Sequence, residues 1–301
     1  MMEKRALITG LNGFTGYYLA AELTRAGYTV FGADVKPDGA PNNYAVDLLD
    51  KAALRRLVAE VKPTVVVHLA AIAFVGHGNA DAFYQVNVIG TRNLLEALAI
   101  EAPAVRCVLL PSSANIYGNA AAGVLDERTP ANPANDYAVS KLAMEYMARL
   151  WLDRLPIVIT RPFNYTGVGQ SVQFLLPKIV DHFRRGERVI ELGNIDVERD
   201  FSDVRMLAQA YARLLDKAPA GEVFNVCSGN TWSLKDVIAM MGEIAGYAIE
   251  VRVNPAFVRA NEVRRLQGDV SKLETAVGAL DRVPLRETLR WMYAESAERT
   301  S

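Results

Sequence analysis

RALITGLNGFTG, residues 5–16, is the stretch on which the reading of this chain turns. An apolar run (RALIT, 5–9) breaks at Gly10, Gly13 and Gly16, and a helical apolar pattern from Thr15 to Ala26 follows at once. Strand, glycine turn and helix in this order present free amides and the positive end of a helix dipole to a pyrophosphate, the glycines allowing a tight turn and close backbone approach. Gly10, Asn12, Gly13, Phe14 and Gly16 are therefore expected to hold a nicotinamide dinucleotide. Asp34 closes the next apolar run (YTVFGAD, 28–34), eighteen residues past Gly16, where a carboxylate accepts from a ribose 2′-hydroxyl. That favours NAD(H); Lys36, two residues on, keeps NADP(H) open as the receiver of a 2′-phosphate. Asp47, in AVDLLD (45–50), has two readings: an acceptor for the adenine amino group, with Leu48 beside it, or a cap for the helix starting at Lys51.

Outward from this loop the same rhythm continues. TVVVHLA (64–70), VRCVLLPSS (105–113) and IVITRPF (157–163) are nearly unbroken apolar runs, as buried parallel strands are. Helical patterns lie between them at Asp50 to Val61, Asp81 to Glu101 and Asn135 to Leu155. Such alternation predicts an α/β fold, a doubly wound parallel sheet of Rossmann type. Beyond Arg161 the pattern loosens: a Gly-rich turn (NYTGVGQ, 164–170), a helix over 174–185, a strand and turn (VIELGN, 189–194), a helix over 204–217 and a strand (EVFNVC, 222–227). This predicts a smaller, interleaved α+β lobe for substrate. The division expected is 1–165 for the dinucleotide domain, with a return around 195–226, and 166–194 plus 227–301 for the lobe.

Composition narrows the function. The 301 residues are 51% hydrophobic with a net charge of −1, which suits a large buried core and offers no basic footprint for nucleic acid. No apolar stretch approaches the ~20 residues that span a bilayer, and MMEKRALITG lacks the apolar core of a signal peptide. Cys107 and Cys227 sit in apolar runs, the pattern of buried reduced thiols in a cytoplasmic protein. His68, His77 and His182 have no metal-ligand spacing, so no metal is expected. Tyr17 and Tyr18 read as packing; Phe74 and Val75 read equally as a pocket border or as loop packing.

Tyr137 and Lys141 are four apart on one helix and share a face. An ammonium beside a phenol is expected to lower its pKa from ~10, making Tyr137 a general acid or base at a carbonyl or carbinol oxygen. Ser113, in PSSANIYG (111–118), lies at the carboxyl end of the preceding strand, where ligands bind in open α/β sheets, and is placed to donate to the same oxygen.

TGLNGFTG (9–16), Leu69 to Ala71, NVIGT (87–91), SSANIYG (112–118) and YAVSK (137–141) together resemble an extended short-chain dehydrogenase/reductase of the nucleotide-sugar type, over nearly the whole chain. The resemblance implies a catalytic triad of Ser113, Tyr137 and Lys141, with Tyr137 and Lys141 also at the cofactor, and cofactor contacts at Leu69, Ala70, Ala71 and Asn87. The second half, with RPFN (161–164), FLLPK (174–178), GNIDVERD (193–200) and Arg259 to Val263, is similar to the GDP-mannose 4,6-dehydratase and GDP-4-keto-6-deoxymannose reductase group. It implies Asn164 and Lys178 at the diphosphate, Arg199 at the nucleotide, and Arg259 and Glu262 at pyrophosphate and ribose. A diphosphate wants charge-assisted donors and ribose hydroxyls want an acceptor, which these residue types supply.

Dehydration of a 4-keto sugar needs a further carboxylate to take the C5 proton; the dehydratases that this half resembles carry acidic residues next to the catalytic Ser or Thr, and Ala114 and Asn115 stand there instead. The Cys that epimerising, fucose-forming reductases place two before the YG tyrosine is also replaced, by Asn115. The expected activity is thus reduction of the 4-keto group of a GDP-linked 6-deoxyhexose to GDP-D-rhamnose or its C4 epimer. A 4-epimerase with bound NAD is the alternative; less favoured are a 4,6-dehydratase and a non-catalytic dinucleotide sensor, which would predict a broken triad. The resemblance also implies a homodimer, through the helices at 81–101 and 135–155.

Overall fold

Continuous apolar strands require cover on both faces, and the computed structural model, which describes residues 3–73, 79–118, 123–257 and 264–295, provides it. Strands β1 (Arg5–Thr9), β2 (Thr29–Asp34), β3 (Asn43–Ala45), β4 (Val65–His68), β5 (Cys107–Pro111) and β6 (Ile157–Pro162) are joined by helices α1 (Phe14–Arg25), α2 (Lys51–Val61), α3 (Ala80–Tyr84), α4 (Thr91–Glu101) and α5 (Asp136–Arg149). After β6 come β7 (Asn164–Thr166), α6 (Leu175–Arg184), β8 (Val189–Leu192), β9 (Glu198–Asp203), α7 (Val204–Lys217) and β10 (Val223–Val226). The chain then forms β11 (Thr231–Ser233), α8 (Leu234–Ala245), β12 (Glu250–Val253), β13 (Arg265–Leu266), α9 (Ser271–Val277) and α10 (Leu285–Ala294).

The main sheet is parallel throughout in the order β10-β6-β5-β4-β1-β2-β3. Side-chain alternation divides each strand between two cores. Ala6, Ile8, Val65, Val67, Cys107 and Leu109 pack with α1, α7 and α9, while Leu7, Val66, Val108 and Leu110 pack with α2, α4 and α5. Both cysteines are buried and free. The order reverses between β1 and β4, so a crevice opens beyond the carboxyl ends of these two strands, the place where open α/β sheets bind ligands.

The smaller lobe holds β11-β9-β13 with β7 joined to β9, and the pair β12-β8, around a core fed by α6, α8 and α10. Two boundaries differ from the sequence reading. Strand β9 belongs to the lobe's sheet, and Val270, Leu273, Val277 and Leu280 pack into the first core together with residues of 204–226. The helix expected over 81–101 is interrupted by a π-helical turn, Gln85–Gly90. Here Gly90 lies against Leu48, whose Cβ would be 2.9 Å from an added methyl, and Asn87 is turned inward. The helix expected to reach Leu155 ends at Arg149, and Leu155 packs separately into the second core. Among the described residues no helix is long and apolar enough to cross a membrane.

Candidate active site

The glycine loop closes onto the end of β4. Gly10 has φ +76°, and a Cβ there would stand 2.8 Å from the Ala70 amide nitrogen; a Cβ on Gly16 would collide with the Leu11 and Gly10 carbonyls. Helix α1 starts after Gly13 with no side-chain cap and no acidic residue in its first turn. Helices α2, α3, α5, α7 and α8 are capped by Asp50, Asn79, Asn135, Asp203 and Ser233. A bare helix start aimed from such a loop fits an anionic pyrophosphate. The Asn12 amide donates to both Asp34 carboxylate oxygens at 3.3 Å, and the Asn12 side chain bridges the Lys36 carbonyl (3.2 Å) and Asn43 (2.8 Å). Burial raises the Asp34 pKa against the opposing pull of these donors.

The remaining cofactor candidates fall into two groups. Leu69, Ala70 and Ala71 continue β4 beside Gly10, and the Leu69 amide donates to the Thr9 carbonyl at 2.9 Å. Four others are committed elsewhere. Phe14 stacks on Tyr165 (6.0 Å, 9°), the Leu48 side chain is core, and Asp47 accepts from the Leu49 amide at 2.9 Å. The α2 cap is Asp50, which accepts from Ala53, so the capping role read for Asp47 passes to its neighbour. Asn87 is 1% exposed and spends its amide on the Ile72 N–H (3.0 Å), the Ile72 carbonyl and Ser140 Oγ (both 3.1 Å). It ties the segment after Ala71 to the catalytic helix.

Ser113, Tyr137 and Lys141 come together at the carboxyl end of β5. Ser113 Oγ accepts from the Asn115 amide at 3.1 Å and is also bonded to the Tyr137 phenol. Burial pushes the Tyr137 pKa up to about 12, the Ser113 bond pulling down and Tyr165 pushing up. This corrects the expectation that Lys141 lowers it. The Lys141 ammonium donates instead to the Pro111 carbonyl at 2.9 Å, and burial lowers its pKa to about 8 while Glu145 raises it. Tyr137 is thus protonated at neutral pH.

Glu145, one turn past Lys141 on the same face, was passed over in the sequence reading. It is fully buried and forms a two-pronged pair with Arg161, Nε to Oε1 at 3.0 Å and Nη2 to Oε2 at 2.7 Å. Arg161 also donates to the Tyr117 hydroxyl (3.0 Å) and the Glu127 carbonyl (3.1 Å), and Tyr117 donates to Asn225 Oδ1 (2.7 Å). Helix α5, the SSANIYG turn, β6 and β10 are thereby locked together. Removing one partner of such a buried pair typically costs about 3–5 kcal/mol.

On the lobe side, Asn164 donates to the Asp200 carbonyl at 3.4 Å, and Lys178 to the Glu191 carbonyl at 2.9 Å with its ammonium 4.8 Å from the Phe257 ring centroid. Phe257 also abuts Gly193, which brings Lys178 and the Gly193–Asn194 turn to one place. Arg199 donates to the Glu198 (2.9 Å) and Arg264 (3.3 Å) carbonyls on the neighbouring β9–β13 edge. Arg259 and Glu262 lie outside the described residues, as do Phe74, Val75 and His77. Two further residues stand in motifs quoted from the sequence without a role assigned to them. Asp200 accepts from the amides of Ser228 and Gly229, both at 2.8 Å, and Tyr165 joins its hydroxyl to Thr15 at 2.9 Å, linking α1 to the lobe beside Tyr137. Tyr18 strengthens that link by donating to the Val168 carbonyl at 2.6 Å.

A doubly wound sheet with this loop and this Ser-Tyr-Lys cluster defines a dinucleotide-dependent class, and comparison with known proteins fixes the family. The model of the NAD dependent epimerase/dehydratase family matches residues 6–227, and the chain belongs to that family. A GDP-6-deoxy-D-talose 4-dehydrogenase of Aggregatibacter actinomycetemcomitans is 35% identical over 277 residues, 91% of each chain. A GDP-6-deoxy-D-mannose reductase of Pseudomonas aeruginosa is 33% identical over 98% of this chain and 97% of its own. Among solved structures, a putative epimerase from Burkholderia cenocepacia J2315 has 55% identity and a TM-score of 0.89, covering 96% of this chain and 97% of its own. RMD from Pseudomonas aeruginosa, complexed with NADPH, has 32% identity and a TM-score of 0.87 over 99% of both chains.

Tyr137 and Lys141 are both in their protonated forms below about pH 8, and Lys141 sets the limit. Lys141 loses its charge as pH rises through about 8, so turnover that needs the ammonium falls above that point. Between about 8 and the ordinary 10.5 the unfolded chain holds the proton that the fold has lost, so the contribution of Lys141 to stability rises over the same window. Glu145→Gln, which removes the charge that supports the ammonium, is expected to move the alkaline limb of kcat to lower pH. Tyr137→Phe is expected to cut kcat by about 10²–10⁴-fold with dinucleotide binding retained. An alkaline limb unmoved in Glu145→Gln, or a Tyr137→Phe enzyme of near full activity, would contradict this arrangement.

Proposed function

We propose that this chain reduces the 4-keto group of a GDP-linked 6-deoxyhexose, GDP-4-keto-6-deoxy-D-mannose first of all, to GDP-D-rhamnose or its C4 epimer. The observation that carries the reading is the convergence of Ser113, Tyr137 and Lys141 at the carboxyl end of β5, with no carboxylate at Ala114 or Asn115. Reduction of a ketone consumes a proton at oxygen, and the Tyr137 phenol, protonated at neutral pH, carries one at this position. When bound, the dinucleotide supplies a hydride to C4. Tyr137 protonates the developing alkoxide, Ser113 holds the same oxygen, and Lys141 places positive charge behind them. Dehydration would ask for a base at C5 that these positions do not offer. The names of the two curated relatives, a 4-dehydrogenase and a reductase of GDP-6-deoxyhexoses, support the same class of hydride transfer.

The cofactor reading keeps NAD(H) first. Asp34 and the nearby Asp38 carboxylate would both repel a 2′-phosphate, while the NADPH found with the Pseudomonas aeruginosa RMD supports the other choice. Asn164, Lys178, Arg199, Arg259 and Glu262 are proposed to hold the nucleotide diphosphate. A 4-epimerase with retained NAD is the second reading, favoured by the 55% identical putative epimerase. The free buried cysteines support a reducing, cytoplasmic setting.

Stoichiometry separates the two readings. Mixed with GDP-4-keto-6-deoxy-D-mannose, the enzyme is expected to consume one NADH or NADPH per sugar, with NADH giving the higher kcat/KM. GDP is expected to inhibit more strongly than UDP or CDP. Unchanged absorbance at 340 nm with both cofactors would sink the reductase reading.

A homodimer is proposed through the outer faces of α4 and α5. Val139, Tyr146 and Leu150, the last 82% exposed, form a stripe on the side of α5 away from Tyr137, and Ile89 and Ile100 are exposed nearby on the π-turn and α4. Sedimentation equilibrium is expected to give a dimer that Leu150→Glu weakens; a wild-type monomer at all concentrations would refute it.

A further inference from the structure

His68 ends β4 behind the crevice, 5% exposed, and takes no part in the chemistry above. Its Nδ1 lies 2.7 Å from Thr9 Oγ1 on β1 and its Nε2 lies 2.9 Å from Thr91 Oγ1 on α4. The two hydroxyls decide which nitrogen carries the proton. Thr91 gives its single hydrogen to the Asn87 carbonyl at 2.7 Å, so toward His68 it can only accept, and Nε2 must be the N–H. Thr9 already accepts from the Ala70 amide at 3.3 Å, which leaves its hydrogen for a bare Nδ1. The result is one directed chain: Ala70 N–H to Thr9, Thr9 O–H to Nδ1, Nε2–H to Thr91, and Thr91 O–H to the Asn87 carbonyl.

Both ends of this chain reach the site. Ala70 is the residue whose amide nitrogen would lie 2.8 Å from a Cβ on Gly10, and Asn87 holds Ile72 and Ser140. Among the described residues the charge that acts on the ring is the Lys141 ammonium, which disfavours a second positive charge here. Burial and Lys141 together lower the His68 pKa to about 3.

We infer that His68 is a positioning residue, locked in its neutral Nε2–H tautomer, that sets the Leu69–Ala71 backbone against the glycine loop and so fixes the floor of the dinucleotide site. The inference rests on the dinucleotide reading for its consequence but not for the tautomer. Asparagine can keep the acceptor toward Thr9, because its Oδ1 overlays the Nδ1 position; leucine keeps neither bond.

With three histidines in the chain, ¹⁵N-histidine labelling of the ligand-free protein resolves the ring directly, and His68→Asn assigns its signal. The expected spectrum shows a bare Nδ1 and a protonated Nε2 for His68, unchanged from pH about 5.5 to 8, below and above the ordinary histidine pKa. His68→Leu is expected to weaken NADH or NADPH binding about tenfold, the scale of one buried hydrogen bond, with His68→Asn recovering most of the loss. A protonated Nδ1, a ring that titrates in this range, or a His68→Leu protein with wild-type affinity would overturn the inference. A wild-type chain that binds neither cofactor would fault the dinucleotide reading instead, and the tautomer would still be decided by the spectrum.

Discussion

The Glu145 carboxylate is the constraint on which the catalytic half of the molecule depends. It is buried without access to water, so it must be answered inside the protein, and the Arg161 fork answers both oxygens. That pairing sets the rotation of α5 about its axis and its height on the sheet. Tyr137 and Lys141 precede Glu145 on the same face by two turns and one, so their positions follow from it. The same charge supports the Lys141 ammonium against its burial. One carboxylate therefore serves geometry and electrostatics together, and Tyr117 extends its reach to the turn that carries Ser113.

A second constraint acts at the crevice between β1 and β4. The glycine loop can approach β4 only because Gly10 lacks a Cβ, and the β4 end is held in turn by Thr9 and His68. Tyr165 and Tyr18 then carry the contact from α1 to the lobe. Short polar bridges thus join cofactor loop, helix α5 and lobe alongside the packing of Phe14 on Tyr165 and Tyr18 on Trp291.

The parts of this that could be read in the sequence are those written in periodicity. Strands such as Val65–His68 and Cys107–Pro111 are unbroken apolar runs because both faces are covered, and the three-glycine turn sits between a strand and a helix. The π-turn at Gln85–Gly90 was not legible, since it answers to Leu48 and Ser140, which are distant in sequence. The direction of the Lys141 ammonium was misread for a similar reason: its partner, the Pro111 carbonyl, is a backbone atom brought close only by the packing of α5 on β5. Glu145 did stand at a readable spacing from Lys141, but its partner Arg161 is sixteen residues on and adjacent only because β6 returns beside α5. In the lobe, strands of two to six residues carry too little pattern to place Asn164, Lys178 and Arg199 relative to one another.

On the function proposed, these contacts would form a site that delivers a proton to a ketone oxygen and leaves hydride delivery to a bound dinucleotide. The Tyr137 phenol, protonated beside Ser113, can give its proton in the reducing direction. The most direct measurement supplies NADH and NADPH deuterated at nicotinamide C4, on each face in turn, together with GDP-4-keto-6-deoxy-D-mannose, and locates the label in the product by NMR and mass spectrometry. Net reduction by this site predicts one deuterium per sugar, at C4, from one face only. Product free of label, or label at any carbon other than C4, would contradict it.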